Sequence, residues 1–284
     1  MKLIECPRDA MQGIHAFIPT AEKIKYLNTL LSIGFDTLDF GSFVSPKAIP
    51  QMADTAEVLA ALDTSATTTR LLAIVANTRG AEEAVTFEKI SFLGFPLSIS
   101  ETFQKRNTNK SIAEAFQTVR ELQELCVSHH KELVTYLSMG FGNPYGDSYD
   151  ETIVLKFVDD LASLGVRIVS LADTIGTSNP RLIDKLFKAV TARYPELEVG
   201  VHLHSTAATA REKIEAALNA GCQRFDGALR GFGGCPMAAD DLVGNIATET
   251  IVAVLEARGM ATNLDSGRLL TGLKEADGLF SAYH

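Results

Sequence analysis

Short apolar runs alternate along the chain with longer stretches in which apolar residues recur at helical spacing. The segment LEVGVHLH sets Leu197, Val199, Val201 and Leu203 against Glu198, Gly200, His202 and His204, which is the period of a β-strand. The same reading predicts strands at Lys2–Cys6, Thr37–Phe40, Arg70–Val75, Lys89–Leu93, Leu133–Leu137, Ile168–Ala172, Leu197–His202 and Arg224–Leu229. Helical patterns fall near Ala21–Ser32, Gln51–Asp63, Arg79–Val85, Ile112–His129, Tyr149–Leu164, Arg181–Arg193, Ala207–Ala220 and Asp241–Glu256. In SIGFD, SLGVR and NAGCQ a glycine suited to a helix C-terminus is followed at once by the next strand.

Eight alternating units without a break favour a closed (β/α)8 TIM barrel over an open doubly wound sheet. The first turn, CPRDAMQG, also lacks the GxGxxG of a nucleotide-binding sheet. The expectation is therefore an α/β protein, with residues 1–284 forming a single TIM-barrel catalytic domain that ends in a short C-terminal helical extension. On strand seven the Val/Leu face should pack under helices, and the histidine face should look into the barrel lumen.

Composition narrows the function. A formal net charge of −9 argues against general nucleic-acid binding, which needs a basic face to replace phosphate counterions. No run is long and apolar enough to span a bilayer, and MKLIECPRD reads as a strand, so no membrane role and a cytoplasmic location are expected. The four cysteines lack CxxC spacing; Cys6, Cys126 and Cys222 read as small reduced core residues.

Active sites of such barrels lie at the C-terminal ends of the strands. There the sequence places Arg8, Asp9 and Gln12, then Asp39, Ser138, Asp173–Thr174, His202 and His204, and finally the loop RGFGGCPMAADDLVGN. Asp9, His202 and His204 offer a carboxylate oxygen and two neutral nitrogens, a mixed set that suits Mg2+ or Mn2+ with amide oxygen and water filling the octahedron. Plainer roles stand beside these: satisfied core histidines, an ion pair for Asp9, a cap or turn for Asp173–Thr174. Cys235, between glycines and a proline, has the surroundings of a thiol that exchanges protons, in a loop expected to move as a lid.

The motifs PRDAMQ, SFVSPKAIPQMADT, SETFQKRNTNKSI, ADTIGTSNP, VHLHST and GGCPMAADDLVGNIATE resemble those of the DRE-TIM metallolyases, and within them the 3-hydroxy-3-methylglutaryl-CoA lyases. The resemblance runs from about Leu3 to Leu255. It implies a divalent cation held by Asp9, His202, His204 and Asn245. Arg8 would steady the enolate and carbonyl oxygens, and Cys235 would exchange a proton with the acetyl-CoA product. His202 would also relay the proton of the substrate hydroxyl, with Asp39 and Gln12 completing the catalytic set. Ser138, Thr174 and Asn77, at or just beyond strand ends, are the substrate-binding candidates. The implied partner is a small-molecule acyl-CoA, and a homodimer is allowed. The chain departs from the family pattern at Asp39, where glutamate is usual, and at Ser205, where aspartate is usual. A related Claisen- or aldol-type enzyme acting on another 3-hydroxyacyl-CoA or 2-oxo acid, and a non-catalytic metal-binding barrel, are the alternative readings.

Overall fold

The protein is described from a computed structural model, which describes residues 1–234 and 243–283. The strands are β1 (Lys2–Glu5), β2 (Thr37–Phe43), β3 (Arg70–Val75), β4 (Ile90–Ser98), β5 (Glu132–Ser138), β6 (Ile168–Asp173), β7 (Glu198–Leu203) and β8 (Arg224–Gly227). They pair in parallel in chain order, and β8 returns to β1, closing the barrel. The helices are α1 (Pro7–Gln12), α2 (Thr20–Leu31), α3 (Thr55–Ala61), α4 (Thr78–Ala84), α5 (Glu101–Thr108), α6 (Ile112–Ser128), α7 (Glu151–Ser163), α8 (Pro180–Arg193), α9 (Ala207–Asn219), α10 (Thr248–Ala257) and α11 (Ser266–Tyr283). The last is the C-terminal extension, and it packs against α2. Among the described residues no helix is long and apolar enough to cross a membrane.

Strand alternation divides the interior into two compartments. Val199, Val201 and Leu203 join the large apolar layer between barrel and helices. Leu72, Phe92, Val134, Tyr136 and Ile168 fill the lumen. Cys6, Cys126 and Cys222 are buried free thiols, as their apolar contexts suggest.

Several elements differ from the pattern reading: β2 runs on to Phe43 and β8 stops at Gly227. Strand β4 runs on through Pro96 to Ser98 rather than stopping at Leu93. Its pairing with β3 ends at Gly94 while pairing with β5 continues to Ser98, so the residue without an N–H sits where the strand is paired on one side. The helix expected from Asp241 begins at Thr248, because Asn245 instead makes an antiparallel bridge to His204. Helices α1 and α5 have no counterpart in the apolar pattern, being respectively very short and almost wholly polar.

One buried acid marks the seam of the barrel. Glu5 is fully buried on β1; it accepts from Leu229 N at 2.8 Å and from the Thr248 hydroxyl at 2.5 Å. Burial pushes its carboxyl up to about 8 despite both hydrogen bonds. Between the unfolded value of 4.5 and about 8 the folded chain therefore holds one more proton than the unfolded chain, and stability falls as pH rises through that window. Glu5→Gln keeps the acceptor and the shape. It should gain on the parent by on the order of 3 kcal/mol between pH 5 and 8. Thermal melts of both proteins across that range check this; parallel profiles would show that Glu5 is not held neutral.

Candidate active site

The site starts where β1 ends. Pro7 at the first helical position starts α1 directly after the strand. Arg8 and Gln12 then lie four residues apart on one face of that helix. Arg8 Nη1 donates to Gln12 Oε1 and to Asp9 Oδ1, both at 2.9 Å, and Gln12 Nε2 donates to Asp9 Oδ1 at 3.2 Å. The other edge of the guanidinium takes Asp39, with Nε 3.0 Å and Nη2 2.5 Å from Oδ2. The shorter side chain at position 39 thus reaches Arg8 directly, without water between them.

From β7, His202 turns into the lumen and His204 lies just past the strand end; their Nε2 atoms are 3.3 Å apart. His202 Nδ1 lies 3.3 Å from Asp226 Oδ2 on β8. Since the carboxylate only accepts, the ring proton belongs on Nδ1, which leaves the Nε2 lone pair facing His204 and Asp9. Asn245 sits opposite His204, and its Nδ2 donates to Asp9 Oδ2 at 2.6 Å and to the Phe232 carbonyl at 2.9 Å. The amide nitrogen, rather than the oxygen of a ligand, therefore faces Asp9. Gly233 makes this closure sterically feasible: at φ +100° a Cβ there would meet Asn245 Nδ2 at 2.6 Å and the Asp9 carbonyl at 2.9 Å.

Charge is sorted sharply. Burial alone would raise the Asp9 carboxyl, but Arg8, the two histidines and Asn245 bring it down to about 2. Burial pushes Asp39 up to about 6 even with Arg8 against it. Burial and then His202 lower His204 to about 4, so it is neutral at pH 7. Burial also works against charge on His202, yet Asp226 and Asp9 hold it above the ordinary imidazole value. One ionised carboxylate and two imidazole nitrogens thus converge, their ligand atoms all within 4.8 Å of one another, and this donor set fits a hard divalent cation. Cys6, His202 and Asp226 form a second close group. There burial, Asp226 and Asp39 raise the thiol well above its usual value, and His202 Nδ1 is already paired with Asp226.

A profile of HMGL-like proteins matches residues 3–274. The chain belongs to the HMGL-like family. It is 34% identical to the hydroxymethylglutaryl-CoA lyase YngG of Bacillus subtilis, covering 94% of this chain and 89% of that one. It is 32% identical to the 3-hydroxy-3-isohexenylglutaryl-CoA/hydroxy-methylglutaryl-CoA lyase of Pseudomonas aeruginosa, over 95% and 89% respectively. Among solved structures, an HMG-CoA lyase from Acinetobacter baumannii in complex with coenzyme A and 3-methylmalate superposes with a TM-score of 0.91 at 31% identity, covering 99% of this chain and 91% of that one.

In this HMGL-like barrel the donor set opens onto a cavity of about 440 Å³. Arg8, Asp9, Gln12, His202 and His204 line it, as do all three substrate-binding candidates. Ser138 ends β5, the Thr174 hydroxyl accepts from Met139 N, and Asn77 caps α4 through Gly80 N while facing the same space. Asp39 and Asn245 are buried behind this lining and act on it through Arg8 and Asp9. Asp173, which the sequence offered as a cap or turn, accepts from Ser178 N and Oγ and so closes the turn after β6. Cys235 lies outside the described residues. The pattern reading missed Tyr136 in the lumen wall, and Arg106 and Lys110, which α5 and its exit bring to the mouth. It also missed Asp226, although RFDG alternates as LEVGVHLH does.

Proposed function

We propose that this protein cleaves 3-hydroxy-3-methylglutaryl-CoA into acetyl-CoA and acetoacetate. The observation that carries the reading is the convergence of the Arg8 guanidinium with Asp9, His202 and His204 on one cavity of an HMGL-like barrel. In the reaction the bond between the thioester α-carbon and the carbinol carbon breaks. The electron pair stays on the thioester side as an enolate, and the hydroxyl loses its proton to become the ketone of acetoacetate.

Asp9, His202 and His204 are the residues that would hold Mg2+ or Mn2+, and Asn245 fixes Asp9 through its amide N–H. Bound there, the cation supplies Lewis-acid polarisation of the substrate oxygens. Arg8 brings a charge locked in direction by Asp39 and Gln12 to the developing enolate oxygen. His202 Nε2 receives the hydroxyl proton only while it is free of the cation, since Nδ1 already carries the proton it shares with Asp226, and Asp226 balances positive charge arising on the ring. Cys235 returns a proton to the enolate carbon. Ser138, Thr174 and Asn77 orient the acyl chain, and Arg106 and Lys110 give the anionic CoA moiety a basic entrance. The alternative of a longer, unsaturated 3-substituent is favoured by the P. aeruginosa relative, whose name carries both the isohexenyl and the methyl substrate.

Mass spectrometry of products from a panel of 3-hydroxyacyl-CoA thioesters, before and after chelation and re-addition of Mg2+ or Mn2+, tests the reaction and its cation. Acetoacetate formation that survives exhaustive chelation would overturn the metal assignment. Cys235→Ser should lower turnover about a hundredfold, the range for loss of a general acid, while Mn2+ affinity stays near wild type. Normal turnover in that variant would remove the thiol from the reaction.

A further inference from the structure

Lys213, on α9, has no part in the reaction described above, and it is 2% exposed. Its ammonium donates to Asp173 Oδ2 at 3.0 Å, to the Gly176 carbonyl at 3.0 Å and to the His204 carbonyl at 2.9 Å. An ammonium has three protons, and three acceptors take them. Asp173 ends β6, and Gly176 and His204 stand on the loops that leave β6 and β7, the face that carries the site. Asp173 precedes Thr174, which lines the cavity. Gly176, at φ +72°, is wedged so that a Cβ would meet Val243 Cγ1 at 3.0 Å and the His204 carbonyl at 3.4 Å. On the side of the returning chain His204 bridges to Asn245, and Ser205 N donates to the Gly244 carbonyl at 3.0 Å.

A helix that needed only packing would carry an apolar residue here, since burying an ammonium costs several kcal/mol and its carboxylate partner at best offsets that. Ser205 supplies no charge at this end of β7; its hydroxyl meets the Thr206 carbonyl and Thr209.

We propose that Lys213 is a positioning residue for the cation site: by tying the His204 carbonyl to Asp173 and Gly176, it holds the His204 imidazole level with Asp9 and His202. The inference rests on the reading of His204 as a ligand.

The test measures Mn2+ affinity and thermal stability in the full chain. Lys213→Met should bind Mn2+ about tenfold or more weakly, within the range seen when groups that orient metal ligands are lost. It should also be less stable, because Asp173 is left as an uncompensated buried charge. Asp173→Asn/Lys213→Met removes both charges. It should recover stability yet still bind Mn2+ at least about fivefold more weakly, because the His204 carbonyl is still untied. Mn2+ affinity in the double variant within twofold of wild type would reduce Lys213 to a counter-ion of Asp173 and overturn the proposal. The double variant decides alone if the single one does not fold. His204→Ala in the same series separates the two readings: unchanged Mn2+ affinity there would remove the ligand assignment itself, whatever Lys213 does.

Discussion

Arg8→Lys should lower kcat by about a hundredfold or more while leaving the barrel folded and Mn2+ affinity within a few-fold of wild type. The variant keeps the positive charge between Asp9 and Asp39, so neither carboxylate is stranded in the interior. What it loses is the fork. Arg8 serves Asp39 through Nε and Nη2 and, through Nη1, both Asp9 and Gln12. A lysine concentrates its donors on one atom and can hold neither arrangement in a fixed direction. If charge alone mattered, lysine would serve; if a directed donor at the enolate oxygen matters, it fails. Steady-state kinetics at saturating Mn2+ decide, and a lysine variant within tenfold of wild type would sink the directional role.

His204→Ala should weaken Mn2+ binding by about two orders of magnitude or more and leave the circular dichroism and melting behaviour of a folded barrel. The imidazole is neutral at pH 7 and competes for no proton until about pH 4, so its loss would remove a proposed ligand that needs no prior ionisation. Asp9 is ionised down to about pH 2. His202, held above the ordinary imidazole value, is therefore the proposed ligand whose proton a cation would have to displace, and wild-type affinity should fall as pH drops through that raised value. Calorimetric titration of both proteins across pH checks the loss and its sign together. Affinity independent of pH between 5 and 8 would count against His202 as a ligand.

Much of this was legible in the chain because parallel strands covered on both faces leave a strict period of two. Val199, Val201 and Leu203 had to face helices, and that sent His202 inward. The same parity puts Arg224 and Asp226 on the inner side of β8 with Phe225 outside, a signal present in RFDG but overshadowed by the glycine loop that follows it. Helix α5 escaped because ETFQKRNT carries no apolar stripe; Ser100 at its N-cap, accepting from Phe103 N, was its local mark. Lys213 escaped for the opposite reason. Amid Arg211, Glu212 and Glu215 it reads as one more surface charge, yet Ala210, Lys213, Ile214 and Ala217 have the spacing of the buried stripe, and all four are buried. A charge inside an apolar stripe is the pattern worth noticing. The direction of the Asn245 amide had no such mark, since it depends on the Phe232 carbonyl, which only the folded loop places beside it.

The bond between Asn245 and Asp9 spans 236 residues of chain, and those between Glu5 and both Leu229 and Thr248 span 224 and 243. A centre drawn from both ends of the polypeptide requires β8 to be paired with β1. Cation binding is therefore expected to report ring closure. It should act on lifetime more than on refolding speed, slowing escape from the closed ring while leaving the earlier, local helix–strand units to form at their own pace.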